Sequence, residues 1–160
     1  MPTLYILCGP SGCGKTTWAY NFMKKDQTIN DIRYVSRDEI RFKMLNDNDD
    51  YFAHEKEVFK KFTGTIIQTL VDGFDCIADA THLNMRSRKR LTNAIDMKFK
   101  DYTIVYITFN VNINTCLTRN TLREGRAQAP ENIIRNMYND FHAPTKDEDS
   151  RVIDIWEIGE

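Results

Sequence analysis

The chain has 160 residues, a length that fits one domain and hardly two. Apolar residues make up 41% and charged residues 28%, which excludes a disordered, collagenous or coiled-coil chain. With 22 Lys and Arg against 23 Asp and Glu the net charge is −1, so bulk electrostatics do not mark a nucleic-acid binder.

Thr3–Gly9 is a short apolar run ending in glycine, which reads as a buried strand. Lys15–Lys25 places Trp18, Ala19, Phe22 and Met23 at helical spacing. Ile32–Ser36 is a second strand, and 50–71 reads as one long helix or two, with Val58, Phe62, Ile66 and Leu70 in its apolar stripe. Asp75–Asp79 is a third strand, Ser87–Phe99 a helix, and Tyr102–Phe109 the clearest strand of all. Ile113–Arg123 is helical, Pro130–Phe141 is a helix with Pro in its first turn, and Val152–Ile158 is a last strand. Strands thus alternate with helices throughout, which implies an α/β fold with a parallel sheet covered on both faces. The loosest stretches are 124–129, placed between two helices where a lid would sit, and the acidic 143–150. No apolar run approaches the roughly 18–20 residues of a membrane span. Met1-Pro2-Thr3 is not basic and Leu4–Cys8 is too short for a signal peptide, so a cytoplasmic location and no membrane partner are expected. Cys8, Cys13, Cys76 and Cys116 form no CxxC pair, and His54, His82 and His142 do not complete a metal spacing with them. Reduced, buried thiols are expected rather than a zinc site.

The chemistry begins at Gly9-Pro10-Ser11-Gly12-Cys13-Gly14-Lys15-Thr16, which satisfies G-x-x-x-x-G-K-[ST]. Backbone N–H groups that converge on phosphate oxygens need residues with free φ and no Cβ in the way. Three of the seven glycines fall in this stretch, between an apolar strand and a helix whose N-terminal end favours anions. Gly9, Ser11, Gly12, Cys13 and Gly14 are therefore expected to cradle a nucleotide, with Thr17 beside them. Lys15 supplies charge to the β- and γ-phosphates, and Thr16 a hydroxyl to Mg²⁺. ATP or another nucleoside triphosphate, with Mg²⁺, is the expected cofactor set. Ser11 and Cys13 read as small residues that fit a tight loop rather than as nucleophiles.

Such a loop names a nucleotide, not a reaction. Ser36-Arg37-Asp38-Glu39-Ile40-Arg41 follows the second strand, whose C-terminal end lines the ligand crevice of a parallel sheet. Asp38 and Arg41 are three apart and share a face on a helical turn. Asp38 reads either as a general base with Arg41 clamping an anionic acceptor, or as a helix cap with Arg41 in solvent. Asp79 ends the third strand, a position suited to Mg²⁺ but also to a loop or capping Asp. Thr81 and His82 follow, to shape the loop or touch substrate. Arg119, Arg123 and Arg126 supply the positive charge that phosphoryl transfer needs, or complement a helix C-terminus. Arg86–Arg90 (RSRKR) opens a helix at the wrong end for the dipole, and the stretch 85–137 carries an excess of six positive charges against −1 for the whole chain. A phosphate-rich substrate and a solvated helix face both account for that segregation.

Together GPSGCGKTTWA (Gly9–Ala19), SRDEIR (Ser36–Arg41), THLN (Thr81–Asn84), RN (Arg119-Asn120) and IIRNMY (Ile133–Tyr138) resemble the kinase domain of bacteriophage polynucleotide 5′-hydroxyl kinases over essentially the whole chain. The resemblance implies the P-loop kinase fold, a sheet of about five parallel strands with a helical lid at about 119–130, in a single domain spanning 1–160. It implies transfer of the ATP γ-phosphate to the 5′-hydroxyl of a DNA or RNA end. It puts Lys15 and Thr16 on ATP and Mg²⁺, Asp38 as general base, and Arg41 on the phosphate 3′ of the acceptor nucleoside. It puts Arg119 on the nucleotide and Arg123 on the transition state. The lid is one residue longer than the family pattern, so Arg123 and Arg126 compete for one role. The family's acidic residue falls on Ala80, with Asp79 one place earlier. No DxDGT-like motif is present, so 3′-phosphatase activity is not expected. The alternatives are a small-molecule or zeta-toxin-like sugar-nucleotide kinase, and a nucleotide-binding switch or ATPase without an acceptor.

Overall fold

A computed structural model describes residues 1–25 and 31–159, except for the side chain of Arg126. Strands β1 (Thr3–Cys8), β2 (Ile32–Ser36), β3 (Asp75–Asp79), β4 (Thr103–Phe109) and β5 (Val152–Ile158) form one sheet in the order β2-β3-β1-β4-β5, parallel throughout. The helices are α1 (Lys15–Lys25), α2 (Arg37–Met44), α3 (Glu55–Val71), α4 (Met85–Asp96), α5 (Ile113–Thr121) and α6 (Glu131–Asp140). The expected α/β architecture of five parallel strands is the observed one.

The strand order follows from burial. Leu4, Ile6, Leu7 and Cys8 are fully buried in β1, so this strand is apolar on both faces and takes the middle of the sheet. Alternate residues then feed two cores. Leu4, Ile6 and Cys8 pack with Phe62, Ile66 and Leu70 of α3 and Leu91 and Ile95 of α4. Leu7, Ile77 and Ile107 pack on the opposite face with Ala19 of α1, Cys116 of α5 and Ile134 of α6. Each such aliphatic or aromatic side chain contributes about 1.5–3 kcal/mol on burial. All four cysteines are free and buried.

Topology places the site. From β1 the chain leaves through α1 toward β2, whereas from β3 it crosses through α4 to β4, on the other side of β1. The loops after β1 and β3 part there, and a crevice opens at the C-terminal ends of the strands. Helix boundaries differ from the sequence expectation: α4 runs Met85–Asp96 rather than Ser87–Phe99, α6 loses one residue at each end, and two further shifts have a visible cause. The helix expected from Asp50 starts at Glu55, because Asp49 accepts from Asn46 N at 2.9 Å and from the His54 ring at 2.9 Å, and so holds that stretch in turns. The helix expected to reach Arg123 ends at Thr121, where Leu122 N turns back to Arg119 O.

Candidate active site

The glycine-rich loop runs from the tip of β1 into α1. Gly12 and Gly14 have φ of +84° and +96°, open to glycine at no steric cost. A Cβ on Gly12 would also lie 2.5 Å from the Cys116 carbonyl oxygen, so α5 packs directly on the loop. Lys15 is buried, and its Nζ donates to the carbonyls of Gly9 (2.9 Å) and Pro10 (2.8 Å). Thr16 Oγ1 donates to Asp79 Oδ2 at 2.8 Å, and the Tyr34 hydroxyl donates to the same oxygen. Burial and the Asp79 charge raise the Tyr34 pKa, which keeps that proton in place. Hydroxyl and carboxylate oxygens thus meet at the foot of the loop, a hard-oxygen pair of the kind Mg²⁺ accepts alongside phosphate and water. Asp79 caps no helix; the cap of α4 is Asn84, in a reciprocal capping box with Ser87.

The facing wall comes from α2 and the start of α3. Ser36 ends β2 and caps α2, accepting from Glu39 N at 3.2 Å. Asp38 is therefore not the cap. Its carboxylate pairs with Arg41 Nη1 and accepts from the Tyr51 hydroxyl at 3.0 Å. Arg41 also donates Nε to Glu55 at 2.6 Å and Nη1 to Tyr51 at 3.0 Å. Glu55 takes Arg37 Nη2 at 2.9 Å with its second oxygen. Burial works to raise the Glu55 pKa, but the Arg41 hydrogen bond and the two guanidinium charges outweigh it and lower it. The Tyr51 pKa is pushed up to about 12 by burial and then by the Asp38 charge, so Tyr51 is a donor at neutral pH.

From the third side, Arg119 Nη1 reaches Gly12 O at 3.4 Å, against the outside of the loop. The segment after α5 is closed by Asn120, which donates to Ala129 O at 2.7 Å and accepts from Ala129 N at 2.9 Å. That clasp presents Arg123 to the crevice. The Arg126 side chain lies outside the described residues.

The crevice is a cavity of about 230 Å³. Ser11, Gly12, Gly14, Lys15, Thr16 and Thr17 line it from the loop, and Asp38, Arg41, Asp79, Thr81 and Arg123 from around it. Gly9, Cys13, His82 and Arg119 are not on its lining. Cys13 is buried beneath the loop. The His82 ring is buried, with Nδ1 2.7 Å from Leu7 O and φ of +41°. Burial lowers its pKa to about 4, so it stays neutral. Tyr34, Arg37, Tyr51 and Glu55 are the neighbours that sequence reading missed. Arg37 stands beside Asp38 in the SRDEIR stretch, but no motif points to the two tyrosines or to Glu55. Among the described residues no helix is long and apolar enough to cross a membrane.

A chain of the Pnkp1/Rnl/Hen1 RNA repair complex superposes with a TM-score of 0.73 at 23% identity, over 87% of this chain and 43% of that one. A second structure of that complex is matched over 38% of its chain, so this chain spans less than half of either. A fungal RNA kinase gives 0.67 at 12% identity, over 98% and 75% of the two chains. An unliganded sugar kinase from Janibacter sp. HTCC2649 gives 0.68 at 13% identity, over 99% and 86%. At these identities the likeness is one of fold. No curated protein matches the chain. The model of a family described as an AAA domain matches residues 4–144, most of the sequence, and the chain belongs to that family, with a P-loop kinase-like fold.

Proposed function

We propose that the protein is a phosphotransferase that moves the γ-phosphoryl group of ATP to the 5′-hydroxyl of a DNA or RNA end. The observation that carries this reading is the Asp38–Arg41 pair, set on one helical turn in the same cavity as the glycine-rich loop. A switch or hydrolase has no use for a carboxylate and a phosphate-binding cation placed together across from the nucleotide. Asp38 takes the proton of the attacking hydroxyl as its oxygen bonds to the γ-phosphorus and the bridge to the β-phosphate breaks, releasing ADP. Arg41 grips the phosphate 3′ of the accepting nucleoside. Lys15 and Arg123 face the charge that develops on the transferring group, and Arg119 the nucleotide. Arg126 is the alternative to Arg123, in a lid spanning about 119–130 of a single domain. Thr16 and Asp79 would hold Mg²⁺, which when bound neutralises charge on the β- and γ-phosphate oxygens. Thr81 lines the acceptor side, and His82 acts by shaping that loop.

The compact cavity and the fold shared with a sugar kinase favour a second reading, a small-molecule kinase. One assay separates the two. With γ-labelled ATP, label should appear on a 5′-OH oligonucleotide and not on a panel of sugars. Label on sugars alone, or release as inorganic phosphate irrespective of acceptor, overturns the proposal.

A further inference from the structure

The basic run at the start of α4 is left unused by the cavity. One member is structural: Arg88 is 1% exposed, donates Nε (2.9 Å) and Nη2 (2.7 Å) to Glu148, and gives Nη1 to His82 O at 2.9 Å. Arg90 is exposed and turned elsewhere. Its guanidinium lies 4.2 Å from the centroid of the Phe59 ring on α3, and that of Arg37 lies 5.4 Å from the same centroid. Two cations therefore converge on one ring.

Their partners are too few for that charge. Glu55 is shared between Arg37 and Arg41, and among the described residues no ion pair reaches Arg90. Arg37 Nε is buried with no hydrogen-bond partner, the one such side-chain atom among the described residues. Like charges gathered beside an unsatisfied donor are costly unless an anion joins them. The contacts also run on from one residue to the next. Glu55 pairs with Arg41 and Arg37 of α2, and Phe59, one turn or about 6 Å further along α3, carries Arg37 and, from α4, Arg90. Arg86 lies one turn before Arg90 on α4 and extends the same face. The row begins inside the cavity, where Arg37 and Arg41 both line the wall, and leads out of it.

We infer that this row is a track for the acceptor strand: Arg37 joins Arg41 at the first phosphate, and Arg90 takes the next phosphodiester on the 3′ side. The inference rests on the polynucleotide reading of the cavity and adds to it a preference for acceptors with at least two phosphates. A small-molecule kinase has no use for a cation one helical turn beyond its cavity.

The test uses three acceptors with a free 5′-hydroxyl: a nucleoside 3′-phosphate, a dinucleotide 3′-phosphate and a trinucleotide 3′-phosphate. Wild type and Arg90→Gln, which keeps a polar stem over Phe59 without the charge, are compared in steady-state kinetics. For wild type, KM should fall about 5- to 10-fold from one phosphate to two, the worth of one exposed charge-assisted contact. That gain should shrink as salt is raised. Arg90→Gln should remove most of it while leaving the KM for ATP and the kinetics on the one-phosphate acceptor unchanged. An active enzyme whose KM ignores the second phosphate, or a variant that loses activity equally on all three acceptors, overturns the track alone. Failure of wild type to phosphorylate any of them overturns the polynucleotide reading and the track with it.

Discussion

Replacing Asp38 by Asn and Glu55 by Gln, one at a time, takes one or the other carboxylate from Arg41 while keeping side-chain shape. The two sites differ in burial. The Asp38 side chain is 50% exposed, that of Glu55 31%, and that of Arg41 only 7%. An ion pair with a half-exposed partner contributes at most about 1 kcal/mol, so Asp38→Asn should cost no more than that in stability. Glu55 makes charge-assisted bonds of 2.6 Å to Arg41 and 2.9 Å to Arg37, and the Gln amide replaces them only in part. Glu55→Gln should therefore cost about 2–3 kcal/mol. The lowered Glu55 pKa gives the sign of its pH dependence: the stabilisation is present above the ordinary carboxyl value and fades as pH falls. Activity should run the other way. Asp38→Asn should lower kcat by roughly 10²–10⁴ on a 5′-OH oligonucleotide, because the proton acceptor is gone. Glu55→Gln should leave kcat within a few-fold and raise the acceptor KM by about 10-fold at most, because Arg41 is less firmly aimed. Urea denaturation and steady-state kinetics with γ-labelled ATP read both axes. Near-normal kcat in Asp38→Asn refutes the base, and a variant order in stability opposite to this one refutes the assignment of Glu55 as the anchor.

Gly12→Ala should abolish the thermal shift expected of the wild type on adding ATP, since the new Cβ meets the Cys116 carbonyl oxygen at 2.5 Å and φ is +84°; a shift equal to that of the wild type would mean the loop tolerates what its geometry forbids. Arg123→Ala should lower kcat by roughly 10³–10⁵ and Arg126→Ala much less; the reverse order in single-turnover rates transfers the transition-state role to Arg126. His82, with its pKa lowered by burial from 6.5 to about 4, favours the folded state fully above pH 6.5 and loses up to about 3 kcal/mol of that contribution as pH falls toward 4. His82→Asn should remove this part of the acid sensitivity in urea melts taken across that range, and an unchanged pH profile would show that the ring is not held neutral.

The alternation of strands and helices, the central place of the β1 run and the glycine-rich loop are legible because each is a local pattern: a period, a run length, a spacing. The pairing of Asp38 with Arg41 is legible for the same reason, as a three-residue interval on one helix. Glu55 and Tyr51 are not legible, because they reach Arg41 across a turn of irregular length whose shape is set by Asp49 and its hydrogen bonds. His82 illustrates a second limit. A histidine three residues after a strand reads as one that shapes the loop or touches substrate, but its burial is not legible, because that depends on α4 and the 146–148 turn closing over it through Arg88 and Glu148. The RSRKR run fails in the same way: its residues have one composition and at least two fates, Arg88 inside the protein and Arg90 on its surface.

The cavity groups named above already hold one another. Lys15 rests on two carbonyls, Thr16 and Tyr34 on Asp79, and Arg41 on Asp38, Tyr51 and Glu55. At Lys15, Thr16 and Arg41 a ligand does not fill vacant donors; it exchanges partners, and each exchange returns only the difference between two good contacts. For Arg41 that exchange has a chemical consequence. A phosphate that takes its Nη1 leaves the Asp38 oxygen with one donor fewer, and so opens that oxygen to the attacking hydroxyl. With no acceptor phosphate the carboxylate stays bonded to Arg41 and Tyr51, and water entering the cavity meets an oxygen already engaged by two donors. If Asp38 is the base proposed here, the same contacts that hold Arg41 in place also restrain ATP hydrolysis, because the carboxylate is released by the substrate that needs it.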